Sequence, residues 1–175
     1  MKSETPETQG GEISDAVNWS ALKLFATDVD GTLTDGGMYY TPDGELMKRF
    51  DTRDAFGMNL LRKTGFELAI VTAEDSPIVA ARARKLKIDR TYLGVANKVE
   101  LLTNVLAELG MGWENLAYAG DDLNDLPVIE KAGFSACPSD AARKTRSAAN
   151  YVCRNPGGRG AVREMCELIL DHLES

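Results

Sequence analysis

Several residue classes that would steer a functional reading are scarce in this chain of 175 residues. There are three cysteines, Cys137, Cys153 and Cys166, far apart, odd in number and without a Cys-x-x-Cys pair. They argue against a disulfide framework and read as reduced, mostly buried thiols of a cytoplasmic protein. Basic residues are outnumbered, 20 Lys and Arg against 27 Asp and Glu, for a net charge of -7. Such a surface argues against binding nucleic acid or an anionic membrane through bulk charge. A small anionic substrate stays open, because a metal and a few local cations can reverse the sign inside a cleft. No apolar run approaches membrane-spanning length. The N-terminus lacks the basic-then-apolar order of a signal peptide. The one histidine, His172, stands near the C-terminus and is assigned no chemistry.

What the chain does have is 43% apolar content, enough for one compact domain with its own core. Residues 1–18 are polar and read as a disordered arm, leaving 19–175 as a single domain. "ALKLFAT" reads as a strand. "MYYTPDGELMKRF" reads as a hairpin flap over about 38–50, turning at Pro42-Asp43-Gly44. Tyr39, Tyr40, Met47 and Met58 are read as core or hairpin packing. Helix and strand then alternate: a helix ending at Gly65, the buried strand "FELAIVT", and a helix opened by Pro77. "DRTYLG", "LAYAG", "FSACP" and "YVC" read as further strands, with helices between them at 98–110, 123–133 and 140–149. A last helix, about 160–173, carries Val162, Met165, Cys166, Ile169, Leu170 and Leu173 on one stripe. This alternation implies an α/β fold, a parallel sheet with helices on both faces.

In such a sheet, ligands collect at the carboxyl ends of strands where strand order reverses. The predicted strands end in Asp28-x-Asp30-Gly31-Thr32, in Thr72, and in Gly120-Asp121-Asp122-x-x-Asp125, while Lys98 opens a helix between them. Carboxylate oxygens suit Mg²⁺, which takes few protein ligands. A carboxylate can also attack phosphorus, and a second one nearby can protonate a leaving alkoxide and later deprotonate water. Lysine, hydroxyl and amide donors can hold phosphoryl oxygens. Competing readings are a turn-rich acidic surface and a phosphoacceptor domain of the response-regulator kind.

"DVDGTLTDG", Thr72, Lys98 and "GDDLND" resemble, in order and spacing, the four motifs of the haloacid dehalogenase superfamily, over roughly residues 22–173. The resemblance implies a Rossmann-like fold and an Mg²⁺-dependent phosphatase. It makes Asp28 the nucleophile and Asp30 the general acid/base, whose backbone carbonyl also meets the metal. Asp28 and Asp121 become the side-chain metal ligands, with Asp122 and Asp125 as acidic support. Thr72 and Lys98 would bind phosphate, with Lys98 also steadying Asp28. Asp35 falls outside these roles, as either a solvated turn residue or a substrate-side contact.

No segment between these motifs is long enough for a cap domain. The site would be open in a monomer, and the unpaired edges of the hairpin invite pairing with a neighbour. "FDTRDAFGM", "NKVELL" and the glycine-rich "GGRGAVRE", read as a tail, resemble the capless branch that dephosphorylates 3-deoxy-2-keto sugar acids. That branch implies a homotetramer in which neighbouring subunits complete each site. It makes Thr32, Arg53, Ala73, Glu74, Arg82, Lys85 and Arg159 candidate substrate contacts. Arginine suits a carboxylate because its planar fork can bind both oxygens. Eight-carbon (3-deoxy-manno-octulosonate 8-phosphate) enzymes of the branch usually have Arg where this chain has Glu74. Glu74 with Arg82 and Lys85 resembles the enzymes of nine-carbon deoxynonulosonate 9-phosphates, whereas "GGRGAVRE" resembles the eight-carbon group; the expected substrate is the nine-carbon acid, with the eight-carbon one as the alternative. A catalytically silent oligomeric scaffold and a phosphotransferase or mutase on the same fold are the remaining alternatives.

Overall fold

The computed structural model describes residues 17–174. Most of the arm expected over 1–18 lies outside these residues. Its last two do not: Val17 packs against the core, and Asn18 precedes a single 3-10 turn at Trp19–Ala21.

The chain then runs β1 (Leu24–Thr27), β2 (Tyr39–Thr41), β3 (Gly44–Met47), α1 (Thr52–Lys63), β4 (Glu67–Val71), α2 (Pro77–Leu86) and β5 (Arg90–Tyr92). It continues α3 (Lys98–Glu108), β6 (Leu116–Ala119), α4 (Leu126–Ile129), β7 (Phe134–Cys137), α5 (Arg143–Ala148), β8 (Tyr151–Val152) and α6 (Ala161–Leu173). Two expectations change. The helix read over 123–133 shrinks to α4, because the Asp121 and Asp122 amides turn inward to the Asp125 carboxylate and the first helical turn is lost to that loop. The "GGRGAVRE" segment is not a tail. Its glycines form the loop between β8 and α6, and "AVRE" opens α6 itself.

β2 and β3 form a separate antiparallel hairpin. The other six strands form one parallel sheet in the order β5-β4-β1-β6-β7-β8. From central β1 the chain builds outward through β4 and β5, then crosses to β6, β7 and β8. Strand order therefore reverses between β1 and β6, which places a crevice beyond their carboxyl ends. Alternation along β1 fills both faces. Phe25 joins the core under α1, α2 and α6. Leu24 and Ala26 join the core under α3 and α4. All three cysteines are free and buried. No helix among the described residues is long and apolar enough to cross a membrane.

Helix starts follow local chemistry. Asp51 accepts from the Arg53 amide ahead of α1, Pro77 opens α2, and Asn97 accepts from the Glu100 amide ahead of α3. His172 is held rather than frayed: its ring stacks on Trp19 with centroids 4.1 Å apart. Met58 is in the core, as expected. Tyr39, Tyr40 and Met47 are not, and with Met38 and Leu46 they leave the hairpin with an exposed apolar surface. A two-stranded hairpin has no second layer of its own to cover such side chains.

α6 packs along α1, and a Cβ on Gly57 would lie only 3.0 Å from the Arg163 Cα, so glycine sets this close approach. Beside it the buried Asp54 carboxylate accepts from the amides of Arg163 (2.8 Å) and Gly160 (3.4 Å) at the amino end of α6. Burial raises the Asp54 carboxyl to about 6, outweighing the two amide donors that favour its charged form. The folded state thus holds this proton more tightly than the unfolded chain. Stability from Asp54 is present at low pH and is lost as pH rises from about 4 through about 6. The stability of wild type relative to Asp54→Asn should fall across that window and level off above it, in thermal melts at stepped pH. Asp54→Ala, which orphans both amides, should cost about 1–3 kcal/mol.

Candidate active site

Three strand ends supply the site. The Asp28 amide donates to the Ala119 carbonyl at 2.8 Å, extending the β1–β6 ladder by one rung and setting Asp28 beside the loop that carries Asp121. Asp28 is buried, and the Lys98 ammonium donates to its Oδ1 at 2.7 Å. The same ammonium donates to Asp125 Oδ1 at 2.6 Å. Asp125 is fully buried and saturated: Oδ1 also accepts from the Tyr118 hydroxyl at 2.6 Å, and Oδ2 accepts from the Asp121 and Asp122 amides. Asp125 therefore organises the loop and has no oxygen left over. Asp122 points outward, and its Oδ1 accepts from the Leu123 amide.

Two glycines allow this closeness. A Cβ on Gly31, whose φ is +85°, would fall 2.1 Å from Asp121 Oδ2. One on Gly120 would fall 2.5 Å from the Asp125 carboxyl carbon. Thr32 is fully buried and donates its hydroxyl to Asp121 Oδ1 at 3.1 Å, so it orients that carboxylate.

Carboxylate oxygens of Asp28, Asp121 and Asp125 lie within 4.8 Å of one another. Lys98 is the ammonium among them. Burial first, and the Asp125 charge second, raise Asp28 to about 8 and Asp121 to about 6. Burial alone would lower the Lys98 ammonium, but Asp28 and Asp125 outweigh it and hold it up. Two carboxyls pushed up in a pocket of hard oxygen donors mark a site with a deficit of positive charge. The donor set fits Mg²⁺, which would take Asp28 and Asp121 through their side chains and Asp30 through its carbonyl.

Thr72 directly follows β4, next to β1, and is buried, its Oγ1 accepting from the Glu74 amide at 3.2 Å. Ala73 and Glu74 are exposed on the same rim. Arg53 and Arg159 come together on another side of the crevice. Arg53 pairs with Asp51 at 3.0 Å and donates to the Arg159 carbonyl, and Arg159 lies 3.9 Å from Asp35. The Gly158 amide donates to the Thr32 carbonyl, and a Cβ on Gly157 would meet the Gly31 carbonyl at 1.9 Å. The glycine loop is thus seated on its own chain's DxDGT turn. Arg82 lies over the Phe50 ring at 5.4 Å, below the hairpin. Lys85 is not brought to the site: it is exposed in the last turn of α2, toward the amino end of β5 and away from the strands' carboxyl ends.

Two further residues enter that the motifs did not mark. Tyr118, a hydroxyl in an otherwise apolar strand, was a legible request for a buried partner. Lys48 was not legible, since "KR" at the end of a hairpin reads as a solvated pair. In the fold it is buried and donates to Asp30 Oδ1 at 2.6 Å.

The crevice between β1 and β6, with its acids around one lysine, defines a hydrolase of the haloacid dehalogenase-like class, whose family model matches residues 92–165. The KdsC 3-deoxy-D-manno-octulosonate 8-phosphate phosphatase of Escherichia coli K12 is 42% identical over 149 residues, covering 85% of this chain and 79% of that protein. Two solved structures of phosphatases with the same description are similar throughout. The Moraxella catarrhalis enzyme, in complex with magnesium, phosphate and KDO, has a TM-score of 0.84 and 39% identity, covering 87% of this chain and 88% of that one. The Yersinia pestis enzyme has a TM-score of 0.86 and 38% identity, covering 93% and 90%. The chain belongs to this phosphatase family within the haloacid dehalogenase-like hydrolases, and is a phosphoric monoester hydrolase.

Because Asp125 holds both Lys98 and the 121–122 loop, Asp125→Asn should weaken Mg²⁺ binding about 10–100-fold by titration calorimetry. Tyr118→Phe, which removes one hydrogen bond and no charge, should weaken it less.

Proposed function

We propose that this enzyme hydrolyses the phosphate monoester of a 3-deoxy-2-keto sugar acid, with 3-deoxy-D-manno-octulosonate 8-phosphate as the substrate best supported. The observation that carries the chemistry is the buried Asp28 held by Lys98 beside Asp121, at the point where strand order reverses. The substrate class rests on the 42% identity to the octulosonate enzyme.

In this reading an Asp28 carboxylate oxygen forms a bond to phosphorus as the bond to the sugar oxygen breaks. Asp30 gives its proton to the departing alkoxide. Asp30 then takes a proton from water, which attacks the aspartyl phosphate, releasing inorganic phosphate and restoring Asp28. Bound Mg²⁺ offsets the charge of the phosphoryl group and of the clustered acids. Lys98 orients Asp28 and favours its charged form against the effect of burial, and with Thr72 it supplies donors for the phosphoryl oxygens. Arg53 and Arg159 stand ready for the sugar-acid carboxylate.

A nine-carbon deoxynonulosonate 9-phosphate is the second reading. It is favoured by Glu74, exposed on the rim in place of the arginine usual in the eight-carbon enzymes. A glutamate there accepts hydrogen bonds from added hydroxyls, where arginine would only donate. We further propose a homotetramer, assembled through the exposed Tyr39, Tyr40, Leu46 and Met47 of the hairpin. Neighbouring subunits would then exclude water from a crevice that has no cap.

Phosphate release from the octulosonate 8-phosphate should require Mg²⁺, stop with EDTA, and vanish in Asp28→Asn with the fold retained. Wild type inert on every phosphorylated sugar acid would refute the reading. Turnover of the two sugar classes, repeated with Glu74→Arg, should shift toward the eight-carbon acid if Glu74 selects. Tyr40→Asp with Leu46→Asp should lower the mass seen by light scattering and reduce turnover together.

A further inference from the structure

A second buried ion cluster lies between the hairpin and the strand ends. Lys48 directly follows β3, and its side chain is wholly buried. Lysine is rarely buried unless paired, and here the pairing is double: Nζ donates to Asp30 Oδ1 at 2.6 Å and to Glu45 Oε1 at 2.7 Å. The other Glu45 oxygen accepts from the hydroxyl of Ser76, the residue just before α2. One chain of contacts therefore runs from the segment after Thr72, through the hairpin, to Asp30.

Asp30 itself is held on one side only. Its Oδ1 accepts from Lys48 and, at 3.4 Å, from the Thr34 hydroxyl. Its Oδ2 is buried and has no partner. A buried oxygen without a donor is costly and calls for an explanation. Asp30 sits in a turn rather than a strand, so its backbone does little to aim its carboxyl. A general acid must come within hydrogen-bond reach of the oxygen that it protonates, and small misplacements are expensive.

We infer that Lys48 is the positioning residue for Asp30, holding the carboxyl by Oδ1 and so fixing the direction from which the acid meets the leaving alkoxide. This rests on the reading of Asp30 as the general acid. It makes correct seating of the hairpin a condition of the acid step, with Glu45 balancing the Lys48 charge and Ser76 anchoring Glu45. Proton and electrons balance within the step: the sugar oxygen takes the bonding pair as its bond to phosphorus breaks, and the proton of Asp30 neutralises it.

The test separates aim from mere support. Lys48→Met leaves Glu45 unpaired, so Lys48→Met with Glu45→Gln serves as the charge-balanced companion. Both are compared with wild type and Asp30→Asn on three substrates. Benzyl phosphate and the sugar acid phosphate release alkoxides that need a proton; 4-nitrophenyl phosphate releases a phenolate that does not. The readout is kcat/KM, which ends at departure of the leaving group and is blind to later hydrolysis. The Lys48 variants should lose about 10–100-fold on the two alkyl esters and less than about threefold on 4-nitrophenyl phosphate, as a weakened general acid would. Equal losses on all three in the charge-balanced variant would overturn the inference, leaving Lys48 as a hairpin anchor. A loss on the sugar ester alone would also overturn it, making Lys48 a substrate contact. If Asp30→Asn shows the dependence on leaving group and the Lys48 variants do not, only the role of Lys48 fails. If Asp30→Asn loses equally on all three, the acid reading of Asp30 fails and this inference with it.

Discussion

One ammonium between two buried carboxylates is the constraint on which the rest of the site depends. Lys98 reaches Asp28 from one side and Asp125 from the other, with all three groups out of water. Removing charges from water costs several kcal/mol per ion, and such a group persists only where its geometry and added hydrogen bonds offset that cost. Here they do so locally: Tyr118 and two backbone amides complete Asp125, and Thr32 holds Asp121. One lysine does not balance three carboxylates, and burial together with the Asp125 charge pushes Asp28 and Asp121 up. The fit to a divalent cation is thus a consequence of how tightly the sheet draws its acids together. Gly31 and Gly120 make that closeness possible, since a side chain at either would collide with the carboxylates.

Around this fixed centre the remaining walls come from elements with little core of their own. The hairpin is tied down by Lys48 and Glu45 but leaves aromatic and aliphatic side chains in solvent. The glycine loop after β8 is pressed onto the DxDGT turn, and Arg49 reaches across to the Gly158 carbonyl at 2.6 Å. A capless crevice of this kind is buried and closely bonded at the bottom and open at the top. The bottom serves chemistry, which tolerates little displacement. The top is where sugar acids would be distinguished.

Much of this was legible in the chain because the signals were local. Turn residues, apolar runs and helix starts marked every strand and helix in order, and boundaries shifted by a few residues at several ends, at the start of α4 because the Asp125 side chain takes the Asp121 and Asp122 amides. The carboxylates at strand ends were visible as carboxylates. The resemblance put Lys98 on Asp28, but that Asp125 shares the same ammonium was not visible, because residues 28, 98 and 125 meet only through the order of the strands. Arg53 and Arg159 were named as separate candidates, and the glycine loop brings them side by side. Lys85 was drawn in by the resemblance to the nine-carbon enzymes, yet α2 leaves the carboxyl end of β4 and carries its last turn back toward the amino end of β5. Tyr40 and Leu46 show the same limit in reverse: an apolar residue in a strand predicts burial, but not which layer will bury it.

By itself the sequence determined the type of fold, the kind of atoms gathered at the strand ends, and the family to which those motifs are similar. The first two follow from periodicity and from the chemistry of single residues, which adjacency in the chain preserves, and the third from the resemblance of the motifs. Only the tertiary structure decided which oxygens are already spent and which are free. Asp125 is saturated, Thr32 turns inward to Asp121, and Asp30 keeps one oxygen without a donor while Lys48 grips the other. Hydrogen-bond capacity is exhausted by neighbours in space, and those neighbours are set by how the sheet is ordered and how the hairpin is seated upon it.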